Sequence, residues 1–160
     1  CPCGYLGHAT KRCVCSPRQI AQYRGRISGP LLDRIDIHLE VPSVDYKELS
    51  GGATGLGSAE MRQRVQAARD AQTRRFKGAR KGLHNNAGMT DKEVRQYADL
   101  DGPVKALLDT AMESLQLSAR AYTRIRKIAR TIADLEGSVE IAAEHISEAI
   151  GYRTLDRADA

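Results

Sequence analysis

Four cysteines stand within the first fifteen residues, as Cys1-Pro2-Cys3 and Cys13-Val14-Cys15, and nowhere else in the 160-residue chain. Paired cysteines on either side of a short loop are a metal-site pattern in a reducing compartment. Four thiolates around Zn²⁺, at about 2.3 Å each, close a tetrahedron and clamp a loop that has no core of its own. Each pair is separated by a single residue, tighter than the common two-residue knuckle. Reduced thiols without metal, or disulfides, therefore stand as alternatives to zinc. His8 lies between the pairs and can replace a cysteine, but it reads more simply as a surface histidine.

Charge is the second feature with chemical content. The net charge is +5 and unevenly spread: residues 58–88 hold eight basic and two acidic side chains, residues 89–160 ten and thirteen. Clustered cations attract a polyanion, which makes Arg69, Arg74, Arg75, Lys77, Arg80 and Lys81 the candidate nucleic-acid contacts. The plainer reading is the solvated face of a helix.

The elements that position these groups are mostly helical. The run Leu115–Gly137 places Ala121, Ile125, Ile128, Ala129, Ile132, Ala133 and Leu135 on one arc, with Arg120, Arg124, Arg126, Lys127 and Arg130 on the rest. Ser118 is its expected N-cap and Gly137 its C′ residue. Arg120 then sits in the first turn, where the macrodipole disfavours a cation by a few tenths of a kcal/mol. So wide an apolar stripe needs neighbours, and this is the expected central helix.

Ahead of it, Ser16-Pro17 opens a short helix reaching about Arg26. Ile35 to Val41 alternates apolar with polar and predicts one half-buried strand, with His38 exposed on its polar face. Partners for that strand are expected outside the sequence, because one strand is no sheet. Residues 43–57 hold GGATGLG and predict a flexible linker rather than a phosphate loop, since no Gly-Lys-Ser/Thr follows. Helices are expected over about 58–77 (Met61, Val65, Ala68 and Phe76 inward), from the Thr90 capping box to Leu100, from Pro103 to Leu115, and over about 141–152. His145 there reads as a core-edge residue rather than a ligand.

Aromatic residues are scarce (no Trp, one Phe), which suits a modest helical core better than a sandwich or barrel. No apolar run approaches the roughly 18 residues of a membrane span and no signal peptide is evident, so the cytosol is the expected compartment. The chain begins at Cys1 rather than Met and reads as a piece of a longer protein.

Three stretches, CPCGYLGHATKRCVCSP, SGPLLDRIDIHLEVP and LSARAYTRIRKIARTIADL, together resemble the C-terminal part of the ComM/YifB family, and the likeness runs through essentially the whole chain in order. These are bacterial magnesium-chelatase-like AAA+ ATPases linked to DNA handling in natural transformation. The resemblance implies a mainly α fold: residues 1–42 as the end of the ATPase core (Cys-rich loop, arginine-finger turn, last strand), 43–57 as linker, 58–153 as a four- to five-helix lid, and 154–160 as tail. By the same resemblance Arg34, in LLDRID, matches the arginine finger that reaches the γ-phosphate on a neighbouring subunit. Arg120, in LSAR, matches sensor 2, which touches the nucleotide of its own subunit. A salt bridge from Arg34 to Asp33 or Asp36 is the structural alternative. The implied cofactor is ATP with Mg²⁺, the implied partners are further copies in a hexameric ring and DNA, and no membrane is involved.

The family's Walker elements and sensor-1 Asn are expected upstream of Cys1, so this chain alone is not a complete ATPase. Arg126 stands where an aliphatic residue is usual, which predicts a looser edge of the central helix. Two readings from other classes remain: a zinc-stabilised nucleic-acid-binding module, and a chelatase or protein-remodelling motor that uses no DNA.

Overall fold

The structure is a computed structural model describing residues 1–8, 10–41, 44, 51 and 55–153. Most of the linker expected over 43–57, and all of the tail 154–160, lie outside the described residues. The chain divides into two compact units: Cys1–Ile35 with Leu39–Gly55, and Asp36–His38 with Leu56–Ala160.

In the first unit, α1 (Pro17–Arg24) starts from a complete capping box. The Gln19 N–H donates to Ser16 Oγ at 3.3 Å, and the Ser16 N–H donates to Gln19 Oε1 at 2.8 Å. Together these satisfy two of the orphan donors of a helix start. The single turn α2 (Gly29–Leu32) follows, with proline in its opening positions, where no N–H is needed. Neither helix buries a residue.

The strand expected over Ile35–Val41 does not form, and the described residues contain no strand. An alternating segment becomes a strand only when a neighbour takes up its ladder hydrogen bonds, and the described residues supply none. His38 is not an exposed strand residue either. It is buried within the second unit, its N–H donating to the Tyr152 carbonyl at 2.8 Å.

The second unit is a helical bundle: α3 (Ser58–Arg75), a 3₁₀ turn (Asn86–Gly88), α4 (Asp91–Tyr97), α5 (Gly102–Ser114), α6 (Ala119–Glu136) and α7 (Ala143–Gly151). The central helix is α6, which packs against α3, the 3₁₀ turn, α4 and α7, while α5 closes on α7. Local sequence sets the ends. Thr90 and Glu93 form a capping box, and Asp101 Oδ1 accepts from the Val104 N–H at 2.8 Å. Gly137 adopts φ 76° past the end of α6, a conformation that costs a side-chain-bearing residue about 1 kcal/mol. Ile125, Ala129, Leu108, Ile146 and Ala149 form a fully buried centre.

Two apolar readings fail. Leu135 is exposed, and so are Met61 and Val65, because every residue from Ser58 to Ala67 is solvent-facing and only the last part of α3 docks. The larger departure is polar. Arg126, Arg130 and Asp134, spaced i, i+4, i+8 along one side of α6, are buried. Unpaired, such groups cost several kcal/mol each, so each must be answered by a partner.

Arg126 Nε and Nη2 donate to the Ala98 carbonyl at 3.0 and 2.6 Å, closing the C-terminal end of α4. It therefore ties α4 to α6, contrary to the loose edge expected of it. Arg130 reaches the Ser138 and Val139 carbonyls at 2.6 and 2.8 Å, fixing the loop after α6. Asp134 accepts from Arg75 of α3 through both oxygens, 2.8 Å on one of them, from Asn86 Nδ2 at 2.8 Å and from Arg130 Nε at 3.1 Å. One carboxylate thus joins α3, the 3₁₀ turn and α6. Asn86 also takes Gln72 Oε1 on its N–H at 3.2 Å and donates to Thr131 Oγ1 at 3.0 Å.

Burial opposes ionisation of Asp134. The hydrogen bonds from Arg75 and Asn86 and the charges of Arg75 and Arg130 outweigh it and hold the carboxyl below the usual range. Burial pulls Arg130 down from its ordinary value, against the attraction of Asp134. A group with a depressed folded-state value contributes stability above its unfolded value, about 3.9 for aspartate, and loses it as pH falls through the folded value. Asp134→Ala should accordingly cost about 3–5 kcal/mol at pH 7 in denaturant unfolding followed by circular dichroism. The wild-type advantage should be complete above about pH 5 and shrink below pH 4. An unchanged midpoint, or an advantage that grows on acidification, contradicts this assignment.

Candidate functional site

The two cysteine pairs meet. The sulfurs of Cys1, Cys3, Cys13 and Cys15 all lie within 4.8 Å of one another. Cys1–Cys3 is 3.5 Å, Cys3–Cys13 3.6 Å and Cys13–Cys1 3.7 Å, and none of the four is in a disulfide. Such a set can hold a metal ion. Gly4 at φ 79° lets the loop fold back, so that the Leu6 N–H donates to Cys1 Sγ at 3.2 Å. Backbone N–H bonds from Tyr5 and Val14 bring the Cys3 thiol down to about 6. The Cys15 backbone favours the Cys13 thiolate, but burial and the adjoining sulfurs outweigh it, so Cys13 is pushed up.

His8 is not drawn into the cluster. Its Nδ1 accepts the Thr10 and Lys11 N–H groups, each at 3.2 Å, and its ring meets Tyr5 edge-on.

Arg34 is exposed just past α2, where its Nη1 donates to the Pro30 carbonyl at 2.6 Å. Asp36, one of its two candidate salt-bridge partners, pairs with Arg124 instead. Arg120 is exposed in the first turn of α6, and two adjacent features set that turn. Ser118 Oγ accepts from the Ala121 N–H at 3.1 Å. Just before it, Gln116 holds φ 50°, a left-handed conformation a non-glycine residue keeps only when its surroundings enforce it.

The basic segment divides by pairing: Arg75 is half-buried and Arg80 exposed, and both are engaged. Arg69, Arg74, Lys77 and Lys81 are exposed. Arg75 is committed to Asp134 and Asn86, and Arg80 donates to Glu93 at 2.8 Å and the Gly88 carbonyl at 2.7 Å. His145 is a core residue, as its sequence position suggested. Nδ1 accepts the Ala142 N–H at 2.8 Å, which puts the ring proton on Nε2, 2.8 Å from Glu136. No helix among the described residues is long and apolar enough to cross a membrane.

The family described as magnesium chelatase, subunit ChlI C-terminal, matches residues 55–153, and magnesium chelatase, subunit ChlI, matches residues 1–49. The chain belongs to this family, in the ComM/YifB-type group of AAA+-related proteins, and the bundle is its C-terminal helical domain. The chain is similar to competence protein ComM of Haemophilus influenzae, 40% identical over 143 residues, covering 89% of this chain and 27% of that protein. YifB of Escherichia coli K12 is 41% identical over 144 residues, again covering 89% and 27%. The chain thus spans about a quarter of the length of the curated relatives it matches.

Proposed function

We propose that in the intact protein residues 1–42 end an AAA+ ATPase core and residues 58–153 form its lid, within a cytosolic hexameric ring that hydrolyses ATP with Mg²⁺ and moves DNA during transformation. The observation that carries this reading is the placement of Arg120. It stands exposed at the start of the most firmly anchored helix of the bundle, beside the orphan N–H groups of that helix start. A cation there is disfavoured on its own, whereas a phosphate is favoured by both the guanidinium and the helix N-terminus.

In this reading Arg120 is sensor 2 and holds the γ-phosphate of its own subunit's nucleotide. Arg34 is the finger that reaches the nucleotide of a neighbour. The planar, permanently charged fork suits both tasks, because phosphoryl transfer spreads charge over equatorial oxygens and catalysis consists mainly of positioning and neutralising it. The name of the Haemophilus relative, a competence protein, supports the DNA role. Arg69, Arg74, Lys77 and Lys81 are the backbone contacts on this chain, while Arg75 and Arg80 serve the bundle.

Arg34→Ala and Arg120→Ala in the intact protein should each lower kcat by about 100-fold or more and leave the unfolding midpoint in place, since both side chains are exposed. Unchanged turnover in both variants overturns the reading. DNA should stimulate turnover, and Lys77→Glu with Lys81→Glu should weaken DNA binding and reduce its salt slope by about one for each phosphate no longer neutralised. Turnover indifferent to DNA, with an unaltered slope, favours a remodelling motor that does not use it.

A further inference from the structure

We infer that Cys1, Cys3, Cys13 and Cys15 bind one Zn²⁺ as a closed structural site that folds the loop ahead of α1, independently of any nucleotide chemistry. Bond length argues for a single ion. Zinc–sulfur bonds of about 2.3 Å around a tetrahedron put neighbouring sulfurs about 3.8 Å apart. The three measured edges, 3.5, 3.6 and 3.7 Å, lie at that spacing, and the fourth sulfur is within 4.8 Å of all of them. Sulfurs this close converge on one ion and leave no room for an iron–sulfide cluster between them.

The surroundings argue against plain buried thiols. All four side chains are only half-buried, and no described residue of the unit is fully buried, so among the described residues no apolar core draws the sulfurs together. The Leu6 N–H on Cys1 Sγ is the kind of hydrogen bond that orients and steadies a thiolate ligand. No histidine nitrogen joins the converging group: His8 Nδ1 accepts backbone N–H groups, and the ligand atoms that lie within 4.8 Å of one another are the four sulfurs. Soft sulfur ligands in that arrangement select zinc over magnesium or calcium.

The location gives the site its task. Cys15 is followed at once by Ser16, the cap of α1, so an ion gripping Cys15 fixes where α1 begins. The single-residue spacers Pro2 and Val14 shorten each arm, and Gly4 and Gly7, both left-handed, fold the loop between them. The site is a clasp on the loop, with all four coordination positions filled by protein.

The test uses the whole chain purified under reducing conditions without chelator. Elemental analysis should find about one zinc per chain, and thiol modification should release it to a colorimetric indicator. Cobalt substitution should give thiolate charge-transfer absorption with the visible bands of a tetrahedral site. Cys13→Ser should retain less than about a tenth of the zinc, while circular dichroism shows the bundle's helices unchanged. Four readily alkylated thiols with no zinc overturn the proposal, and so do disulfides that persist in place of metal, or zinc that survives Cys13→Ser in full.

Discussion

The buried carboxylate of Asp134 is the interaction on which the bundle depends. Hydrophobic packing accounts for the contact of α6 with α7, where Ile125, Ala129, Ile146 and Ala149 share one apolar core. It accounts for less of α3, which buries only Ala68 and Gln72 along its length and reaches the core through its cap residue Phe76, edge-on to Tyr97. What holds α3 is Arg75 gripping Asp134, with Asn86 and Arg130 filling the remaining lone pairs. A buried ion pair adds little net stability by itself, yet removal of one partner strands the other in a poor solvent. That asymmetry ties the docking of α3 to one pairing, Arg75 on Asp134. Arg126 does the same for α4, spending its fork on the Ala98 and Val94 carbonyls.

This anchoring bears on function through rigidity. The residue proposed to meet a phosphate, Arg120, sits at the start of a helix held along its length by buried charges and at its ends by Ser118 and Gly137. A cationic fork positioned by a loop would give up much of its value to reorganisation. One carried on a firmly seated helix does not. The cysteine clasp is a different solution to the same need, in a unit whose described helices, α1 and α2, bury no side chains.

The local grammar of the chain was legible in its sequence. Ser16, Thr90 and Ser118 cap helices because each places a hydroxyl within reach of an N–H two or three residues on, and Gly137 ends α6 because it alone tolerates the turn. Pair spacing likewise predicted that the four cysteines could converge. Arg126, Arg130 and Asp134 escaped because a helical wheel sorts residues by hydropathy and cannot see a partner that arrives from 59 positions away, as Arg75 does. The i, i+4, i+8 row was the available signal. The strand over Ile35–Val41 failed for a related reason: alternation reports a potential for pairing, while a strand exists only with its neighbour. Met61 and Val65 were misplaced because nothing in α3 itself says how much of it docks.

The sharpest test of the two arginine roles is a subunit-mixing assay on the intact protein. Arg34→Ala subunits, mixed with subunits whose own nucleotide site is disabled, should regain ATP turnover, because each intact nucleotide site can then borrow an intact finger from its neighbour. Arg120→Ala subunits in the same mixture should stay inactive, because sensor and nucleotide belong to one subunit. Recovery with neither variant, or equal recovery with both, contradicts the account.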